Sequence, residues 1–290
     1  MMNLFVGLDL AWGETTSTRP ANETGVASMD AEGRVVNAGW TRGLDDTVAW
    51  VQTTARADTA LAVDAPLVVT NPTGQRACET QVGQRYGRWQ VSANTSNMNS
   101  PRLAGVALRQ RLEDLGWTYI TGLEGRPDAG RHLFEVYPYT TLVGAAEFGY
   151  DDERPRYKRK PKSVRTAEWR VQRAVVCDDL LSRMGALETA DPPLLLRSHP
   201  MSRQLLETPS PLADAAYKHR EDLIDALLCA WTASLWSRHG GARVQVLGDP
   251  AAGLDSASIV APARPEQRGP ASISRACSAH RATEAHSSLP

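Results

Sequence analysis

The sequence predicts an α/β fold, a mixed β-sheet with helices on both faces, formed by residues 1–262. Three observations carry the prediction. Two short runs, Leu4 to Leu10 and Leu61 to Asp64, are almost wholly apolar, as strands buried on both faces of a sheet are. The first is followed by two more β-prone runs and then a helical pattern, so the chain opens in the order β-β-β-α-β. Late in the chain, small and apolar residues recur at helical spacing from His219 to Ala233.

The elements follow in order. The opening strand lies inside Asn3 to Gly13, with glycines on either side of Asp9. Gly25 to Met29 and Val35 to Trp40 read as the second and third strands, joined by the turn Asp30-Ala-Glu-Gly33. Asp45 to Ala55 suits a helix that leads into the strand ending at Asp64, where Pro66 stops it. Helices are expected over 75–86 and 101–115, and a strand over 133–136. Ser163 is a favourable N-cap for an amphipathic helix reaching Met184. Residues 187–212 carry several prolines and give no clear element. From Ala263 onward Pro, Ser, Ala, Arg and Glu dominate without apolar periodicity, so 263–290 is expected to be a disordered tail.

Composition sets the outer limits. A chain of 290 residues with 42% hydrophobic side chains can bury one substantial core, interrupted by helical and loop insertions, and its composition is not that of a disordered protein. With 32 basic and 33 acidic side chains, the net charge of −1 provides no global pull toward nucleic acid, although a local basic groove remains compatible with it. Cys78, Cys177, Cys229 and Cys277 are scattered without CxxC spacing, which points away from a disulfide framework or a zinc site. No signal-peptide pattern and no run long enough to span a bilayer is found, so a cytoplasmic protein with no membrane partner is expected.

Four acidic residues then call for explanation. Asp9 and Asp64 each end an apolar strand, and a carboxylate there costs several kcal/mol unless it meets a cation, a donor or solvent. Ligands of open α/β sheets bind beyond the carboxyl ends of the strands, where both would lie. The alternative for each is a strand-terminal Asp that only opens a turn. Asp222 and Asp225 stand three apart and share one face of the late helix, a repulsive arrangement that a bound divalent cation would reverse. Alternatively, both merely favour the positive end of the helix dipole.

The order of short motifs carries a resemblance. Gly-x-Asp at Gly7 to Asp9, Val-Asp-Ala-Pro-Leu at Val63 to Leu67, Phe-Glu-Val-Tyr-Pro at Phe134 to Pro138 and Asp-x-x-Asp-Ala at Asp222 to Ala226 resemble domain-of-unknown-function family 429, described as predicted RNase H-like nucleases. The likeness extends from about Leu4 to the Ile-Val-x-Pro close at Ile259 to Pro262. More remotely, the chain is similar to the RuvC resolvases, and β-β-β-α-β is the RNase H-like opening. The resemblance implies a metal-dependent nuclease in which Asp9, Asp64, Asp222 and Asp225 form the catalytic, metal-binding set. Where the resolvases typically carry Glu on the fourth strand, this chain has the shorter Asp64 followed by Ala-Pro, as the unknown-function family does. All-oxygen ligands favour Mg²⁺ or Mn²⁺ as cofactor. Two ions about 4 Å apart would activate water and stabilise the leaving oxygen of a nucleic-acid phosphodiester, and the superfamily likeness implies 5′-phosphate and 3′-hydroxyl products.

Further residues are candidates around that set. Glu135 reads as a supporting or substrate-facing carboxylate, or as the partner of a nearby Arg. Arg76, with the polar loop Ser92 to Ser100, is a candidate grip for a substrate phosphate, or else an ordinary cap and loop. Nine basic residues lie between Arg154 and Arg173, either a phosphate-neutralising segment or a solvated loop. Within them, Lys158 or Lys160 matches the lysine that the resemblance places after the Glu-x-Tyr-Pro strand. Two rival readings stay open: a noncatalytic nucleic-acid-binding protein on the same scaffold, and an ATP-dependent phosphotransferase of the actin and sugar-kinase type.

Overall fold

The computed structural model describes residues 2–13, 21–253 and 255–268 of the chain. Strands β1 (Leu4–Asp9), β2 (Glu23–Asp30) and β3 (Val35–Arg42) form an antiparallel meander. Helix α1 (Gly43–Thr54) crosses over to β4 (Thr59–Val63), which lies parallel to β1. After α2 (Ala77–Tyr86) and α3 (Ala104–Glu113) come the two-residue β5 (Thr118–Tyr119) and β6 (Arg131–Glu135). β6 lies parallel to both β4 and β5, giving one six-stranded sheet of order β3-β2-β1-β4-β6-β5. Helices α4 (Pro138–Gly144), α5 (Thr166–Ala186), α6 (Pro200–Glu207) and α7 (Asp214–His239) complete the layers. A ribbon of β7 (Val244–Gly248) and β8 (Ser258–Pro262) follows and touches the main sheet through the bridge of Val136 to Val260.

The strand alternation sorts the core into two layers of different character. Leu4, Val6 and Leu8 of β1, Leu61 and Val63 of β4 and Leu133 of β6 pack with Val51 of α1 and with Leu108 and Leu112 of α3. On the other face, Ala27, Ala60 and Ala62 meet α7. Small residues on that face let the helix come close. A Cβ on Gly7 would lie 2.0 Å from the Ala226 carbonyl oxygen, and one on Gly25 would lie 2.0 Å from that of Asp222. Contacts this short exclude any side chain at either position, so the two glycines set how near α7 sits to β1 and β2. Every residue of α7 from Arg220 to Trp236 is buried, as a helix running through a core must be.

The architecture is the expected mixed α/β sheet with helices on both faces, with local differences. α5 begins at Thr166 with Arg165 at the N-cap, not at Ser163, because Lys162 and Ser163 are taken up in a turn that leads into Val164. The segment 187–212 contains α6, started by Pro200 at a position where its missing N–H costs nothing. β5 and the β7–β8 ribbon are additional to the expected strands. Ala263 and Arg264 remain buried, and Arg264 donates to the carbonyls of Val143 (2.7 Å) and Asp151 (2.5 Å). The rest of the expected tail, 269–290, lies outside the described residues. No described helix is long and apolar enough to cross a membrane.

Candidate metal centre

Strand register brings the first two carboxylates together. β1 and β4 are parallel with Leu8 opposite Val63, and the Asp64 amide donates to the Leu8 carbonyl at 2.8 Å. Asp9 and Asp64 therefore leave neighbouring strands at the same, carboxyl, end of the sheet. The approach of α7 at Gly7 and Gly25 supplies the third. One carboxylate oxygen from each of Asp9, Asp64 and Asp225 lies within 4.8 Å of the others. Asp222, one turn earlier on α7, stands outside this trio, its carboxylate taken by Lys218.

Two lysines and a tyrosine close the site. Tyr157 donates to Asp225 Oδ1 at 2.6 Å, and Lys158 pairs with Asp225 Oδ2. Lys218 reaches Glu221 at 3.1 Å and Asp9 Oδ2 at 3.9 Å. Burial, followed by the charge of Asp225, pushes the Asp9 carboxyl well above its ordinary range. Burial also raises Asp64 to about 7, helped by Asp225 and Glu135 and opposed by Lys158. Asp222 and Glu221 are raised by burial against the pull of Lys218. Burial disfavours the Lys158 ammonium, yet Asp225, with Tyr157, Asp9 and Asp64, holds its pKa well above the usual lysine value. Cys229 lies next to the trio, and burial together with the three Asp charges pushes its thiol far up, so it is a neutral neighbour.

The donor set fits a divalent cation. All three converging groups are hard carboxylate oxygens, and Asp9 Oδ2 is buried without a hydrogen-bond donor. A buried carboxylate oxygen left in that state is costly, and a cation among the three would satisfy it.

The other expected residues divide. Glu135, at the end of β6, accepts from Arg76 Nη1 and Nη2 at 2.7 and 2.6 Å and from the Leu67 amide at 3.1 Å. Arg76 also donates through Nε to Glu79 at 2.8 Å and through Nη1 to the Val68 carbonyl. Its guanidinium is thus committed to buried partners, and the expectation of a phosphate grip there is corrected to a strut joining α2, β6 and the segment after β4. The loop 92–100 is likewise held by its own framework: Glu79 accepts from the Ser96 amide, and Asn97 and Asn99 donate to the carbonyls of Gly74 and Pro72. Of the two lysines, Lys158 enters the site, whereas Lys160 is exposed and donates to the carbonyls of Pro161 and Val164. Lys218, Glu221 and Tyr157 were not anticipated. Spacing could have pointed to Lys218, which precedes Asp222 by four on the helix; no comparable signal marks Tyr157.

Fold and site together define an α/β protein with a buried carboxylate cluster at the carboxyl ends of two parallel strands, a candidate metal-binding centre. The model of the family described as Protein of unknown function (DUF429) matches residues 7–252, and the chain belongs to that family. Comparison with curated proteins found no significant match, nor did comparison with solved structures.

Proposed function

We propose that this protein is a metal-dependent nuclease of the RNase H-like type, hydrolysing phosphodiester bonds with Mg²⁺ or Mn²⁺ at the carboxylate cluster. The observation that carries the reading is the meeting of Asp9, Asp64 and Asp225, from three distant segments, around a buried Asp9 oxygen that lacks a donor. The antiparallel meander followed by a crossover to a strand parallel to β1 supports the RNase H-like assignment. Asp9, Asp64 and Asp225 would hold the metal, with Asp222 beside them. When bound, such ions supply an activated water and stabilise the leaving oxygen.

The chain's own groups have definite parts in that reading. Lys218 is largely exposed at the rim and offers an ammonium to a phosphate oxygen, a charge-assisted contact stronger than a neutral one. Tyr157 orients Asp225, and the Arg76 strut keeps the end of β6 at a fixed distance from β4. Arg159, Lys160, Lys162 and Arg165, exposed and outside any salt bridge among the described residues, offer contacts to a nucleic-acid backbone. A phosphotransferase of the sugar-kinase type is not favoured, because among the described residues the only strands outside the main sheet form a two-stranded ribbon.

One observation favours a second reading, a noncatalytic nucleic-acid binder: Lys158 and Lys218 already neutralise Asp225 and Asp222. Calorimetric titration with Mn²⁺, followed by incubation with single-stranded, duplex, hybrid and branched substrates, separates the two. The wild type is expected to bind Mn²⁺ and cleave at least one substrate, and Asp9→Asn to lose both with an unchanged circular dichroism spectrum. Mn²⁺ binding without cleavage of any substrate would favour the noncatalytic reading, and no Mn²⁺ binding would end the metal assignment.

A further inference from the structure

We propose a second ligand site, independent of the carboxylate centre: the cavity between β3, α6 and the first turns of α7 binds a small anion with a flat apolar body, of the aromatic carboxylate class. The cavity measures about 350 Å³, within the range of roughly 300–1,000 Å³ usual for small-molecule sites. Its walls include Trp40, Met201, Leu205, Pro209, Pro211 and Leu223.

Its aromatic wall is fixed in place. The Trp40 ring stacks on His219 with centroids 3.4 Å apart and planes 16° apart, and its indole N–H donates to the His219 carbonyl at 2.8 Å. His219 Nδ1 is in turn 2.8 Å from Glu23 Oε2. A rigid planar surface of this kind favours a planar partner.

The charge comes from Arg220, which lines the same cavity and is 8% exposed. Its Nη1 donates to Thr208 Oγ1 at 3.1 Å, and its Nη2 to the carbonyls of Leu205 and Thr208, both at 2.6 Å. All these acceptors are neutral, and the Nε is buried without a partner. Asp178 approaches only to 4.0 Å and already accepts from the Ser210 amide. Elsewhere the fold compensates a buried arginine: Arg76 has Glu79 and Glu135 at hydrogen-bond distance, and Arg264, without a carboxylate, is covered by the rings of Trp89 and Tyr150. Among the described residues Arg220 has neither a carboxylate at hydrogen-bond distance nor a ring over it. A buried cation with neutral partners beside an apolar cavity is complementary to an anionic head on an apolar body.

The test is calorimetric titration of the whole protein with naphthoate and with its neutral counterpart naphthylmethanol. Arg220→Met removes the charge but also three internal hydrogen bonds, so Ala216→Trp, at an exposed position on the cavity wall, serves as the second variant. Naphthoate is expected to bind, naphthylmethanol about tenfold more weakly or worse for lack of the charge-assisted contact, and Ala216→Trp to abolish naphthoate binding with an unchanged circular dichroism spectrum. Failure of naphthoate to bind, equal affinity for the neutral analogue, or binding undisturbed by Ala216→Trp would each overturn the proposal. None of these outcomes bears on the metal centre, whose Mn²⁺ titration is read separately.

Discussion

Asp9 and Asp64 hold their protons more tightly in the folded protein than an exposed aspartate does, because burial and neighbouring carboxylates act in the same direction. An acid whose pKa rises on folding stabilises the fold while it is protonated. For Asp64 that contribution is complete below its ordinary value of 3.8 and is lost as pH rises through about 7. In the absence of metal the melting temperature should therefore fall across this window, and Asp64→Asn should flatten part of the slope. A divalent cation competes with the protons, so stabilisation by Mn²⁺ should grow over the same interval. Scanning calorimetry from about pH 5 to 8, with and without Mn²⁺, measures both effects; a metal-free melting temperature that climbs through this range would contradict the assignment. At this scale Asp9 and Asp64 were legible in the sequence, because a carboxylate ending an apolar run has few other uses. Lys158 was separable from Lys160 only by the path of an irregular segment. Glu135 was readable as the partner of a nearby Arg, but that the Arg is Arg76 emerges only when the fold places the two opposite one another.

Helix α7 owes its position to backbone, not side chains. A Cβ on Gly7 would meet the Ala226 oxygen at 2.0 Å and the Ala230 nitrogen at 2.4 Å, and neither can rotate away. Gly7→Ala should destabilise the protein by about 3 kcal/mol or more and weaken Mn²⁺ binding by moving Asp225. Gly39 of β3, with nothing within 4 Å of the same construction, is the control; Gly39→Ala should stay within about 0.5 kcal/mol of wild type. Urea denaturation reads both, and equal effects would show that α7 is not held by this contact. The strands β1 to β4, α1 and the late helix were readable because continuous apolar runs and helical spacing mark buried elements well. The β7–β8 ribbon was not. Its strands are five residues each, separated by a Pro- and Gly-bearing stretch, and they gain their place by packing against α2 and α4. α6 was hidden for a related reason, since a short helix among prolines carries too few periods to stand out.

The molecule as a whole is nearly neutral, and its basic segment is less free than its composition suggests. Arg156 pairs with Glu153, and Arg170 and Arg173 both pair with Asp214. Four exposed cations, Arg159, Lys160, Lys162 and Arg165, are left outside salt bridges among the described residues to neutralise phosphates, which implies a slope of about −4 in log K against log salt for a duplex. Fluorescence anisotropy of a labelled oligonucleotide with an Asp9→Asn protein, titrated over a range of KCl, measures this slope. A value near −8 would mean that the whole basic segment engages the backbone.

The contact at Gly7 and Gly25 also makes the two sides of the carboxylate cluster mechanically unequal. One jaw, formed by β1, β4 and α7, is locked main chain to main chain and cannot widen without unseating the core. The other, carrying Tyr157 and Lys158, belongs to an irregular stretch between α4 and α5. If the cluster holds a cation as proposed, its three aspartates all sit on the locked jaw, so substitutions in the 155–160 loop should change affinity through the partners of Asp225, Tyr157 and Lys158, while leaving the spacing of the aspartates as it is.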